Sequence, residues 1–307
     1  MIKKDYQNRS HCLCRRKVKI MKLIAIDMDG TLLNEKHQIS EENSQAIRQA
    51  KEQGVEVVIA TGRAYFDARS ICEKAGLNPY IISYTGATIH SKEGQSIYSM
   101  PMDKQDVKQI VRWLDEKNFY YEVSTDTGIY TPAVGKEILQ VELDELRGTP
   151  GETKIVGLER MMTAMYGQFG MKFFNKQEEF MNLDEGFYKI LGCSFNEEKH
   201  QNGINQFSKM KQLGMVSSAD SNFEILNQQA SKGNALALLA AELEIPFDKV
   251  MAIGDSPNDI SMLERVEHSV AMGNAKEEIK EICKFVTHTN RNNGVAHAIY
   301  QYALGTR

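Results

Sequence analysis

An alternation of short apolar runs and amphipathic stretches begins at Met21, stops near Gly86 and resumes at Lys232, and this interrupted rhythm constrains the fold more than any other feature. "KLIAI" (22–26), "VEVVIA" (55–60) and "YIIS" (80–83) are predominantly apolar and too short for helices, so they read as strands covered on both faces. Ser40 is placed to cap the helix "EENSQAIRQAKEQ", with Ile39 as a hydrophobic staple and Gly54 as its stop. A second helix runs from about Ala64 to Ala75, ahead of Gly76. Strand, helix, strand of this kind predicts an α/β fold, a doubly wound parallel sheet. The rhythm returns as "GNALALLAAELEI", "VMAIGD", "NDISMLERV", "HSVAM", "AKEEIKEIC" and "FVT", with a closing helix from Gly294.

The stretch between follows another rule. "ATIHSKEGQSIYSM" alternates about a Glu-Gly turn and predicts a hairpin; "DKQDVKQIVRWLDEKN" predicts an amphipathic helix, with strands at "FYYEVS" and "GIYT". Residues 133–185 read as helical in pieces, followed by "YKILGCSF", a helix near 203–213, "MVSSA" and "FEIL". The expected organisation is a core from 21–86 and 225–307, an inserted α+β domain over 87–224, and a basic extension over 1–20.

Charge separates that extension from the rest. Of the net −4, residues 1–20 carry +6, leaving −10 on the remainder, which argues against a sequence-independent nucleic-acid binder. The five cysteines, Cys12, Cys14, Cys72, Cys193 and Cys283, are odd in number and scattered, so neither a disulfide framework nor a zinc site is expected and a cytoplasmic setting fits. The extension lacks the apolar centre of a signal peptide, and no run approaches the length of a membrane span.

Parallel sheets bind ligands beyond the carboxyl ends of their strands, and four polar groups fall there. They are Asp27-Met28-Asp29-Gly30-Thr31, then Thr61-Gly62-Arg63, then Thr85-Gly86, and last Gly254-Asp255-Ser256-Pro257-Asn258-Asp259. Lys232 opens the helix that precedes the last of these strands. Asp-Gly turns and Ser-Pro helix starts are common, so each group alone is weak. Asp-x-Asp-Gly-Thr, however, arises by chance at only about one site in 160,000. Carboxylates converging with one lysine and Gly-containing turns suit Mg²⁺ and a phosphate ester. A carboxylate approaching a phosphate dianion meets two repulsions of about 4 kcal/mol each at ~4 Å, together about six powers of ten in rate. Mg²⁺ and Lys232 would offset them against Asp27, Asp255 and the dianion. Backbone N–H groups of the two turns are available for the other phosphoryl oxygens.

These residues resemble the four motifs of the haloacid dehalogenase superfamily: DMDGT, Thr61 in "IATGR", Lys232 in "SKGNAL", and "GDSPND". The long insertion between the second and third motifs resembles the Cof-type branch, whose Rossmann-like core carries a mobile type IIB α/β cap. The likeness covers Met21 to Arg307. It implies Asp27 as the nucleophile that forms an aspartyl-phosphate and Asp29 as the acid and then the base. It implies that Thr61 and Lys232 hold phosphoryl oxygens and that Asn258 contacts the phosphate; Met28, Gly30, Gly62, Arg63 and Thr85 are further candidates around it. It also implies Mg²⁺ on Asp27, the Asp29 carbonyl and Asp255, oriented by Asp259. The chain departs from the branch at Thr85-Gly86-Ala87, where Asn-Gly-Ala is usual.

The resemblance therefore implies a Mg²⁺-dependent phosphatase of small phosphate monoesters, sugar phosphates first and cofactor phosphates second. A phosphosugar mutase or phosphotransferase of the same superfamily is the enzymatic alternative. A non-catalytic sensor would be expected to lack Asp27 or Asp29, and both are present. Substrate identity is expected in the cap, where Tyr121, Glu122, Thr125, Tyr130 and Arg147 are candidates. No nucleic acid or membrane partner is expected, and the oligomeric state is left open.

Overall fold

In the computed structural model, which describes residues 21–216 and 221–305, the apolar runs form strands where expected. The basic extension, with Cys12 and Cys14, lies outside the described residues, as do the last letters of "MVSSA". The first core segment runs β1 (Leu23–Ile26), α1 (Glu41–Glu52), β2 (Glu56–Ala60), α2 (Tyr65–Lys74), β3 (Tyr80–Ser83), β4 (Thr88–His90) and β5 (Ser96–Ser99). The insertion follows as α3 (Lys104–Glu116), β6 (Tyr120–Thr125), β7 (Ile129–Pro132), α4 (Gly135–Glu145), α5 (Ile155–Tyr166), β8 (Met171–Phe174), α6 (Glu178–Met181), β9 (Phe187–Cys193), α7 (Glu197–Phe207), β10 (Leu213–Val216) and β11 (Asn222–Asn227). The chain returns through α8 (Lys232–Glu242), β12 (Val250–Gly254), α9 (Ile260–Leu263), β13 (His268–Ala271), α10 (Glu277–Ile282), β14 (Phe285–Val286) and α11 (Gly294–Ala298).

The core sheet has the order β14-β13-β12-β1-β2-β3-β4-β5 and is parallel from β14 to β3. Alternate residues leave it on opposite faces. Ile24, Ile26, Val57 and Ile59 pack with α1, α2 and α11, while Leu23, Ala25, Val58 and Ala60 pack with α8, α9 and α10. Both faces are dry, which is why these strands read as unbroken apolar runs. Each fully buried Leu or Ile contributes about 1.5–3 kcal/mol by area bookkeeping, an upper value. Register then sets the site: Ile26 is level with Ile253 and with Ile59, so the residues that follow emerge at one edge of the sheet.

The second sheet, ordered β10-β11-β9-β6-β7-β8, is antiparallel except between β7 and β8. One face packs on α3 and α7, and the other partly on α4 and α5. The hairpin β4–β5, expected within the inserted block, instead extends the core sheet: Ile82 pairs with Ile89 antiparallel. Alternation identifies a hairpin but says nothing about which sheet edge it joins. The helix expected near 203–213 begins earlier, at Glu197, because the Asn196 side chain caps it by accepting from the Lys199 N–H. Among the described residues no helix is long and apolar enough to cross a membrane.

Candidate active site

Asp27 extends the β1 ladder by one residue, its N–H donating to the Ile253 carbonyl at 3.0 Å, and its side chain is buried. The chain then turns sharply at Gly30, at φ +79°. A Cβ on Gly30 would fall 2.4 Å from the Asp255 carboxylate, so the turn and the close approach both require glycine. Thr31 completes the link, its hydroxyl donating to Asp255 Oδ1 at 2.9 Å. The sequence motif thus joins β1 to the end of β12.

Lys232, the first residue of α8, is fully buried, and its Nζ donates to Asp27 Oδ1 and Asp259 Oδ1, both at 2.6 Å. The other oxygen of Asp259 accepts from the N–H groups of Asp255 and Ser256 at 3.0 and 3.1 Å. Asp259 is therefore committed to positioning. Asp27 Oδ2 is different: it is buried and has no hydrogen-bond partner.

These contacts shape the charges. Burial, then the neighbouring Asp259 and Asp255, holds the Asp27 carboxyl well above its usual range against the pull of Lys232. Burial and Asp259 push Asp255 up to about 6, with Thr31 opposing. Burial would lower the Lys232 pKa, but Asp259 and Asp27 outweigh it and raise it. Carboxylate oxygens of Asp27, Asp255 and Asp259 lie within 4.8 Å of one another. With Asp259 occupied by its donors, the partnerless oxygen of Asp27 beside Asp255 suits a hard divalent cation, so the residues fit Mg²⁺.

Asp29 is half-exposed. Arg63 grips it in a bidentate pair, Nε to Oδ2 and Nη2 to Oδ1, both at 2.7 Å, and its Nη1 reaches Asp67 Oδ2 at 2.6 Å. Burial works to raise the Asp29 pKa, but the hydrogen bonds and charge of Arg63 outweigh it and hold the carboxyl below its usual value. Thr61 is buried at the end of β2, and its hydroxyl accepts from the Arg63 N–H at 3.1 Å. Thr85 takes an unusual φ of +56°; its hydroxyl is buried without a partner and would lie 3.3 Å from a Cβ at Gly62.

A cavity of about 800 Å³ opens between this edge and the inserted sheet. Of the expected residues, Asp27, Asp29, Gly30, Thr61, Gly62, Arg63, Asp255 and Asn258 line it. Lys232 and Asp259 act on it from behind, and the Met28 side chain packs into the core, leaving its backbone for the site. Among the cap candidates only Glu122 lines the cavity. Tyr121 and Tyr130 pack on the opposite side of the sheet, Thr125 bonds the Gly128 carbonyl, and Arg147 pairs with Asp144 on the surface. Sequence reading missed Gln168, Lys189, Asn222 and Glu224. For Lys189, Asn222 and Glu224 the signal was a polar residue within the apolar strands "FYKILGC" and "NFEILN"; Gln168, in the loop between α5 and β8, left none.

Residues 24–299 match the family profile described as haloacid dehalogenase-like hydrolase. The chain is similar to "Phosphatase YwpJ" of Bacillus subtilis, at 48% identity over 90% of this chain and 98% of that one. It is also similar to the 5-amino-6-(5-phospho-D-ribitylamino)uracil phosphatase YwtE of the same organism, at 39% identity over 93% and 99%. A solved haloacid dehalogenase-like hydrolase from B. subtilis superposes with a TM-score of 0.79 at 47% identity, covering 91% of this chain and 99% of that structure. With the fold, the four motifs and these likenesses in agreement, the chain belongs to the haloacid dehalogenase-like hydrolases, as an enzyme of their phosphatase class.

Proposed function

We propose that this enzyme hydrolyses small phosphate monoesters, sugar or cofactor phosphates, with Mg²⁺ and through an aspartyl-phosphate on Asp27. The observation that carries this reading is the asymmetry of Asp27, with Oδ1 held by Lys232 at 2.6 Å and Oδ2 buried without a partner. Such a carboxylate is fixed in direction and still has an acceptor to offer.

Asp27, the Asp29 carbonyl and Asp255 would hold Mg²⁺, which supplies positive charge against the phosphoryl oxygens and the nucleophile. An oxygen of Asp27 attacks phosphorus; the bond from phosphorus to the ester oxygen breaks, and the departing alkoxide takes a proton from Asp29. Asp29, now ionised, removes a proton from water as that water attacks phosphorus, and the bond to Asp27 breaks. Phosphate leaves and Asp29 keeps the proton for the next cycle. Arg63 stabilises the ionised, basic form of Asp29, so the acid step requires Asp29 to exchange Arg63's hydrogen bonds for a proton. Lys232, Thr61, Asn258 and the backbone N–H groups of Met28, Gly30 and Gly62 hold the phosphoryl oxygens, with the Thr85 hydroxyl backing the Gly62 turn.

The test is phosphate release from a panel of phosphorylated metabolites with Mg²⁺, before and after EDTA. Release that stops in chelator and returns with Mg²⁺ is expected. Full activity in EDTA would remove the metal from the reading, and no release from any ester would remove the reading itself.

A further inference from the structure

The cavity does not end at the catalytic edge of the core. Its far wall is the face of the inserted sheet where Glu122 on β6 and Glu224 on β11 both pair with Leu191 on β9, so the three form one row across three strands. Residues paired in this way share a face, and all three line the cavity. Two buried carboxylates therefore flank an apolar side chain, facing the phosphate site across the cleft.

Glu122 accepts from the Tyr120 hydroxyl at 2.6 Å and from Gln168 Nε2 at 3.1 and 3.0 Å. Glu224 accepts from Lys189 Nζ at 3.2 Å, and that same ammonium donates to the Gly62 carbonyl at 2.9 Å. That ammonium is thus shared between Glu224 and the core. The wall is acceptor-rich, opposite in character to the cation-bearing phosphate end; burial raises the Glu122 pKa, with the hydrogen bonds from Tyr120 and Gln168 opposing. Met161 and Met165 add apolar surface beside it.

We propose that Glu122 and Glu224 form a specificity subsite for the leaving alcohol. It selects monoesters whose alcohol carries several hydroxyl, amino or ring N–H donors, and it rejects those bearing a second phosphate or a carboxylate. This rests on the monoester phosphatase reading and specifies its substrate class. A donor-rich alcohol replaces the water it displaces with hydrogen bonds to carboxylates, which are stronger than those to neutral acceptors. A second anion finds the donors Lys189 and Gln168 already turned to Glu224 and Glu122, and must approach carboxylate oxygens in a cavity that screens charge poorly. Selection therefore acts by repulsion as well as attraction.

The experiment measures kcat/KM with Mg²⁺ for sorbitol 6-phosphate, fructose 1,6-bisphosphate, 3-phosphoglycerate and p-nitrophenyl phosphate, in the wild type, Glu122→Gln and Glu224→Gln. The wild type should favour sorbitol 6-phosphate at least tenfold over the bisphosphate and over phosphoglycerate. Each variant should narrow that preference tenfold or more, through KM more than kcat. Calorimetric binding of the same esters to Asp27→Asn should rank them in the same order, and this measurement stands even where a Gln variant fails to fold. Equal handling of mono- and bisphosphate by the wild type, or variants that slow every ester by one factor, would overturn the proposal. Absence of turnover with every ester would instead overturn the phosphatase reading, while the binding order would still decide the subsite.

Discussion

At the residue scale, the two acids of the first motif are held in ways that separate their behaviour: Lys232 fixes Asp27, and Arg63 fixes Asp29. Asp27→Asn replaces the nucleophile by a neutral amide and should abolish phosphoenzyme formation while phosphate binding largely persists. Asp29→Asn should depend on the ester. With p-nitrophenyl phosphate, whose alcohol needs little protonation, quenched-flow should show a burst of one nitrophenol per enzyme and then slow turnover, because the base for hydrolysis is gone. With an alkyl phosphate the first step itself should stall. A burst from Asp27→Asn, or equal slowing of both esters in the first step of Asp29→Asn, would reverse the roles. The raised Asp27 and Asp255 carboxyls give a second expectation. A carboxyl raised on folding contributes stability below its unfolded pKa and loses it as pH rises through the folded value, which for Asp255 is about 6. A cation binds only the ionised form, so as pH falls below about 6 Mg²⁺ affinity should drop by roughly tenfold per pH unit for the proton displaced from Asp255. Melting shifts with Mg²⁺ at acid and neutral pH measure this, and a shift independent of pH would count against Asp255 as a ligand. The four motifs were legible because turns and strand ends restrict residue type strongly. The Arg63–Asp29 pair was not, since a salt bridge 34 positions apart leaves no local pattern.

At the element scale, the third strand's turn and the start of α8 are packed so closely that one sets the other. Tyr84, Thr85 and Gly86 have φ of +49°, +56° and +104° in succession. Only the glycine announces this in the sequence; a tyrosine and a threonine there cost about 1–3 kcal/mol each in backbone strain. Contacts distant in sequence offset that strain: the Tyr84 hydroxyl donates to the Thr125 carbonyl at 2.7 Å, and its ring stacks on Tyr188 at 5.1 Å. A Cβ on Gly86 would fall 2.2 Å from the Ser231 carbonyl oxygen, which is backbone and cannot swing aside. Ser231 caps α8, so Gly86→Ala must displace the residue next to Lys232. It should cost about 1–3 kcal/mol of stability and, beyond that, lower kcat by tenfold or more as Lys232 moves from Asp27. Thermal melts and kinetics read both, and a variant with reduced stability but normal kcat would show that Lys232 tolerates the shift. The same dependence on distant partners explains the strand β8, which sequence reading took as part of a helical region: Met171–Phe174 is held by its parallel register with β7.

At the scale of the whole molecule, the interrupted rhythm revealed two units but not how they touch. The crossings between them lie side by side, with Asn227 Nδ2 donating to the Pro101 carbonyl at 3.2 Å. Away from the crossings, Lys189 reaches the Gly62 carbonyl at 2.9 Å, and Phe66 of α2 occupies the space that a Cβ on Gly170 would need. An inserted unit joined by two adjacent crossings, and tied by these contacts and a small buried cluster of Ala64, Tyr84, Ala87, Ile129 and Tyr188, can swing as a lid, admitting substrate and then excluding water. Because the hairpin β4–β5 belongs to the core sheet, a cut that spares the core must fall after Ser99 and before Ser231, not at Gly86. Excising residues 101–227 and joining the ends by a short glycine linker retains the hairpin, all four motifs and α8. It also removes Glu122, Gln168, Lys189 and Glu224 from the cavity. Provided circular dichroism and a cooperative melt show a folded core, the excised protein should retain far more activity on p-nitrophenyl phosphate than on sugar phosphates, and its ranking among sugar and cofactor phosphates should flatten. The small activated ester makes little use of the lid, whereas a larger alcohol loses both its binding wall and its shelter from water. A folded core that preserved the full substrate ranking would place specificity in the loops at the ends of β1, β2 and β12, and would leave the inserted sheet as a cover alone.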